Sequence, residues 1–360
     1  MSTNNKSLVE EALKAARELG LEPDLRGGLI IDEKYAFRAL SKILEKQGVI
    51  YLGIKEAVKE YPDLVYKYGF KKLKVDEKSI DNGIFLYVPR NTALEEPIYT
   101  CFALFRKGVV QRVYNLVVIE DNSRAIGATG CMALVPEGAH ISFEEVYVGN
   151  NASYTKIMIH NWLTENIISA VKHITLQSKS TYYDIYLNNS PLKSIKFNTI
   201  IEQSEGSSSR VDQIVVAKGY GEYSYDTKVN LIGTGASSEL VSRSIATDNS
   251  KLVSNLTINA IGDNTKGHIE CKGMMLGDKA SLLTVPALNA LNPSTMLTHE
   301  ASIGKIRREE IEYLLSKGFT EEEAIGIIVR GFLETGFENL PDKIRSSINI
   351  VLDQISKAMM

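Results

Sequence analysis

The sequence predicts a mainly β protein with helical ends, its central strands wound as successive coils. Three observations predict this. Clear helical periodicity lies at the two termini, while the centre is a run of short β-branched segments divided by turn residues. No proline occurs between Pro191 and Pro286, as expected where most backbone N–H groups lie in strand ladders.

From Leu8 to about Leu19, Leu8, Ala12 and Ala15 or Ala16 form an apolar side opposite Glu10, Glu11, Lys14 and Arg17, and Gly20 ends the helix. A second helix is predicted from about Tyr35 to Lys46 and a short third from Lys55 to about Tyr61. Residues 1–80 thus form an N-terminal helical region and linker. Near Gly83 the pattern changes to IFLYV, TCFALF, VYNLVVI, HISFEEVYV, YTKIMIH, IISAVKHITL, TYYDIYL, VDQIVVA, SELVSRSIA and LTINAI, all strands. Turn formers separate them, among them Glu120-Asp121-Asn122, Gly149-Asn150-Asn151 and Gly262-Asp263-Asn264. Asp248-Asn249, Asp263-Asn264 and Asp278-Lys279 begin 15 residues apart. Regular recurrence points to coils that each bury a face against the next, a β-helix over residues 81–305. A sandwich or barrel stays open as the alternative, because strand spacing does not decide how sheets close.

Residues 306–360 return to helical grammar in RREEIEYLLSKGF, TEEEAIGIIVRGFLETGF and PDKIRSSINIVLDQISKAMM. Gly318 suits a positive-φ cap of the first helix. Thr320 and Glu323 fit a capping box for the second, and Pro341 opens the third where its missing N–H matters little.

The chain has 360 residues, 44% of them hydrophobic, enough for a large core. Its net charge of −3 and lack of a basic segment give no electrostatic grip on nucleic acid. The start MSTNNKSLVEEALKAAREL lacks the features of a secretory signal, and apolar runs such as LVVI fall far short of the roughly 20 residues needed to cross a bilayer. A cytoplasmic protein with no membrane association is expected. Cys101, Cys131 and Cys271 are odd in number and widely spaced, which argues against a disulfide framework and against a four-thiolate site within one chain.

Towards the end of the β region lie Cys271 and His299-Glu300, all capable of donating to iron or zinc. Their separation makes no local chelating motif, and a buried structural cysteine and a turn-holding histidine are the ordinary readings. If that dipeptide is extended, Glu300 faces away from His299. His268 and Cys271, three apart, likewise face opposite ways on a strand. Trp162 is read as packing and Asn161 as organising a turn after His160. Asp184 has no second acid nearby in sequence of the kind glycoside hydrolysis uses. No GxxxxGK[ST] loop occurs, Gly219 lacks the context of a phosphate cradle, and Ser237 and Ser238 lie outside any GxSxG turn. The chain is not itself an ATPase.

The block GDKASLLTVPALNALNPSTMLTHEASIGKIRREEIEYLLSKGFTEEEAIGIIVRGFLE resembles the SufB/SufD family of SUF-system iron–sulfur cluster assembly scaffolds. Looser agreement runs back through IHNW, TGCMALVPEGAHISFEEVYV and VPRNTALEEPIYTCFALF, so the likeness covers roughly residues 80–358. It implies a right-handed parallel β-helix core flanked by N-terminal and C-terminal helical regions. It also implies a homodimer or a SufB/SufD-type heterodimer, a SufC-like ATPase docked on the C-terminal helices, sulfur donor proteins as further partners, and a transient iron–sulfur cluster at a subunit interface. His299-Glu300-Ala301 resembles the SufB branch and matches the region of cluster assembly. Cys131, in TGC, resembles a family cysteine ahead of the middle coils of the β-helix and is a candidate for handling sulfur, and Cys271 joins Cys131, His299 and Glu300 as a candidate cluster contact. Where the SufB pattern places a cysteine and a histidine, this chain has Ala280 and Leu283. A SufD-like subunit that positions a scaffold without ligating the cluster is therefore the alternative role. A β-helical carbohydrate-active enzyme would need convergent acids, which the sequence does not offer at recognisable spacing.

Overall fold

The computed structural model describes residues 3–40, 42–334, 336–337 and 340–359. Its centre is a flattened parallel solenoid of about eight coils, each coil giving one strand to each of two facing sheets. The first sheet contains β5 (Ile98–Leu104), β7 (Arg124–Ala133), β9 (Ser153–Asn161), β11 (Thr181–Asn188), β13 (Ser208–Ala217), β15 (Ser237–Ala246), β17 (Lys266–Met275) and β19 (Met296–Gly304). The second contains β4 (Ile84–Val88), β6 (Val110–Ile119), β8 (Gly138–Val148), β10 (Asn166–Leu176), β12 (Ser194–Gln203), β14 (Glu222–Leu231), β16 (Lys251–Ala260) and β18 (Ser281–Ala290). Thr181 pairs with Ser208 and Phe85 with Leu116, so one coil takes 27 to 31 residues. The 15-residue recurrence in the sequence is therefore half a coil, one strand and its turn. Alternate side chains point into the lumen and form a continuous apolar core through the solenoid. Pro286 lies in β18, the terminal strand of its sheet, where one side of the backbone has no ladder to lose.

The N-terminal region departs from expectation. Strand β2 (Lys34–Ala39) occupies the first half of the predicted Tyr35–Lys46 helix, leaving only α2 (Lys42–Lys46). It pairs antiparallel with β1 (Gly27–Ile31), which in turn extends the first sheet beside β5, while β3 (Ile50–Gly53) extends the second sheet beside β4. Asp32 turns the β1–β2 hairpin with φ +50 and accepts hydrogen bonds from the Phe105 and Arg106 amides, and this tertiary anchor outweighs the local helical pattern. The predicted third helix is α3 (Ile54–Glu60), followed by α4 (Pro62–Tyr68).

The helical ends are α1 (Thr3–Glu18) at the N-terminus and α5 (Arg308–Leu315), α6 (Glu321–Leu333) and α7 (Asp342–Ala358) at the C-terminus. Ala12, Ala16 and Leu19 share a buried cluster with Val329, Ile348 and Leu352 and with the outward residues Ile157, Ile185, Ile214 and Ile245 of the first sheet. The two ends of the chain thus make one layer on one face of the solenoid. The Thr320–Glu323 capping box is present at α6, and Gly318 takes φ +96 before it.

Candidate functional site

Cys131 points into the lumen from β7, paired in register with Phe102 and His160, and is buried. Burial pushes its thiol well above the ordinary range, so it rests protonated. His160 lies in the same stack, its Nδ1 2.9 Å from the Tyr186 hydroxyl. Tyr186 in turn lies 3.2 Å from the Tyr225 hydroxyl, to which Asn188 Nδ2 donates at 3.1 Å. Gln213 donates to Ser254 at 3.1 Å, Ser242 and Ser244 meet at 3.2 Å, and Ser242 pairs in register with Cys271. Polar side chains thus recur inside the solenoid between the coil of Cys131 and that of Cys271. Sequence reasoning missed them because each coil contributes only one to three, and successive coils are nearly thirty residues apart.

Beside this line lies a buried box of four charges. Glu144 accepts from Lys156 across the lumen, and Asp184 accepts from Lys172 at 2.7 Å one coil further on. Register then places Glu144 beside Lys172 and Lys156 beside Asp184, so the signs alternate round the box. Burial lowers the Lys156 pKa, with the Glu144 charge opposing it. Asp184, isolated in sequence, has the Tyr182 hydroxyl as a further donor at 3.0 Å.

At the far end, among the described residues, β18 and β19 have no further strand beside them. Cys271 and His299 both face inward there: His299 pairs with Ile269, and Ala301 pairs with Cys271. Cys271 is buried, its thiol pushed up to about 11, while His299 is exposed. Glu300 pairs with Glu270 on the outward face, so it diverges from His299. His268 faces outward too, bonded to Thr298 at 2.8 Å, away from Cys271. Ala280 ends the turn before β18, and Leu283 points outward, 52% exposed. Among the described residues no three His, Cys, Asp or Glu side chains converge to hold a metal. Cys131 and Cys271 belong to different coils, and Cys101 lies on the opposite face of the first sheet, in the cluster beneath the helical layer.

The C-terminal region exposes Tyr313 on α5, Phe319 just before α6 and Ile327 on α6. Of the charged residues there, Glu321 bonds Arg308 at 2.8 Å, and Arg330 bonds Asp353 at 2.9 Å and Asn349 at 2.8 Å while also pairing with Glu334. Glu322 is exposed. Among the described residues no helix is long and apolar enough to cross a membrane.

Residues 103–332 match the family model described as SUF system FeS cluster assembly, SufBD core domain. Over 99% of this chain and 90% of the relative, the sequence is 33% identical to an iron–sulfur cluster assembly SufBD family protein of Methanothermobacter thermautotrophicus. A SufBD family protein of Archaeoglobus fulgidus is 29% identical over 96% of this chain and 95% of its own length. SufB of Bacillus subtilis is 24% identical over 88% of this chain and 71% of its own.

Proposed function

The chain belongs to the SufBD family of SUF-system iron–sulfur cluster assembly proteins, and from that premise we propose that it is a non-ATPase scaffold subunit whose open solenoid end completes a cluster site with a second subunit. The observation that carries this reading is the inward pair Cys271 and His299 on the last two strands of one sheet, at an edge where no further strand pairs among the described residues. Two donors do not satisfy an iron–sulfur cluster, and thiolate is the donor it favours. The missing ligands come from a SufB- or SufD-type partner, or from a second copy, meeting the unpaired edges of β18 and β19. Glu300, on the other face, contacts cluster or iron only from across that interface. Cys131 handles sulfur inside the solenoid, where the polar side chains between it and Cys271 favour a polar cargo over a dry core.

A SufC-like ATPase docks on α5–α7 through Tyr313, Phe319 and Ile327, apolar anchors ringed by charge. ATP hydrolysis by that subunit changes how the scaffold subunits meet. The SufD-like role, positioning without ligation, is favoured by one observation, the absence of a thiol at Ala280.

Anaerobic reconstitution with iron and sulfide separates the two. A ligating scaffold gives a protein-bound chromophore in the assembled complex that Cys271→Ala and His299→Ala diminish. Full chromophore in both variants, and in Cys131→Ala, would assign the positioning role; no chromophore in any homo- or hetero-assembly would remove the ligating one.

A further inference from the structure

Three junctions join the exposed face of the terminal helices to the strand that carries Cys131. α6 is fixed to α7 by the Arg330 bonds to Asp353 and Asn349 and by Ser356 Oγ donating to the Gly326 carbonyl at 2.8 Å. α7 is fixed to the end of α1 and the turn after it by Ser347 Oγ donating to the Gly20 carbonyl at 2.7 Å and Gln354 Nε2 to the Glu18 carbonyl at 3.0 Å. Gly20 takes φ +73, and a Cβ placed there would stand 2.8 Å from Ser347 Cα, so the two backbones meet without a side chain between them. The next residue, Leu21, is fully buried, and a Cβ placed on Gly130 would stand 2.5 Å from Leu21 Cδ1. Leu21 therefore fills the outward side of β7 at Gly130, while Cys131, one residue on, faces the lumen.

We infer that Gly20–Leu21 is a strut that positions the Cys131 strand and couples it to the terminal helical layer, so that a partner docking on α5–α7 alters access to the Cys131 thiol. Its dependence on a docked partner rests on the ATPase reading above; the strut itself does not. Packed cores shift between discrete arrangements, so a small movement of α7 is passed to Gly130 through Leu21 instead of being absorbed. Leu21 and Gly20 are positioning residues that touch no cargo.

The test is the alkylation rate of each cysteine in the native full chain, read by peptide mass after iodoacetamide. Gly20→Ala and Leu21→Ala should each speed labelling of Cys131 about tenfold by easing local opening of β7, with Cys271, at the far end, unchanged. Leu21→Ala with Gly130→Ala, which returns a methyl to the vacated space, should restore the slow rate. Equal acceleration of all three thiols, or no change in Cys131, overturns the strut. In a second arm a SufC-type ATPase with ATP should change the Cys131 rate of the wild type and leave Leu21→Ala unmoved. Binding by calorimetry without that change overturns the coupling, whereas failure to bind overturns the docking reading and leaves the first arm to judge the strut.

Discussion

Lys172 and Asp184 show at the residue scale what the lumen asks of its charges. Removing one member of a buried pair strands the other, so Lys172→Met should cost about 3–5 kcal/mol, whereas Lys172→Met with Asp184→Leu should recover most of it. Urea unfolding measures both, and a double variant no more stable than the single would show that the pair is not one unit. His140 sets a pH dependence. It is buried between the rings of Phe102 and Trp162, 2.7 Å from Gln111 Oε1, and burial pulls its pKa down to about 3. The unfolded chain takes up this proton near the ordinary value of about 6.5, so the stability from a neutral His140 is present above that pH. It is lost as pH falls from about 6.5 towards 3. His140→Gln, which keeps polar groups but does not titrate, should flatten the stability slope in that window, and an unchanged slope would contradict the assignment.

At the scale of the element, the α6 capping box should be worth about 1 kcal/mol to Thr320→Ala, seen as a lower thermal midpoint of the helical signal. Arg330→Glu should do more than change a surface charge. Arg330 holds Asp353 and Asn349, so its reversal loosens α6 from α7 and should lower stability by itself, while Glu322→Lys should leave the thermal midpoint in place. What the sequence makes legible follows the same division. Caps announce themselves because they are local: Thr320, Glu323 and Gly318 act within one turn. Strand β2 is hidden because its hairpin is decided by Asp32 and the amides of Phe105 and Arg106, seventy residues away. The charge box is hidden for the same reason, since Glu144 and Lys172 become neighbours only when the coils are stacked in register. The likeness to a scaffold family locates Cys131 and His299 in the chain, but only the fold shows that His299 joins Cys271 on one face and leaves Glu300 on the other.

For the whole molecule, the exposed edge of β18 and β19, with Leu291 67% and Met296 58% exposed beside it, is a surface that a lone chain leaves ready to pair. Light scattering without other subunits should therefore give a dimer mass, and Val285→Lys, which puts a charge on the outward face of β18, the end strand of the second sheet, should shift it towards monomer. A monomer mass for the wild type across the micromolar range would leave that edge to a heterologous subunit. The central reading, a scaffold that acts through an ATPase docked on its terminal helices, is tested most directly by calorimetric titration of the full chain with a SufC-type ATPase. Wild type should bind, Ile327→Asp should lose affinity by about tenfold or more, and Glu322→Lys should weaken binding less, as expected for a central anchor and a rim charge. Wild-type affinity in both variants would contradict docking at α5–α7, and absence of any binding by the wild type would contradict the ATPase partnership itself.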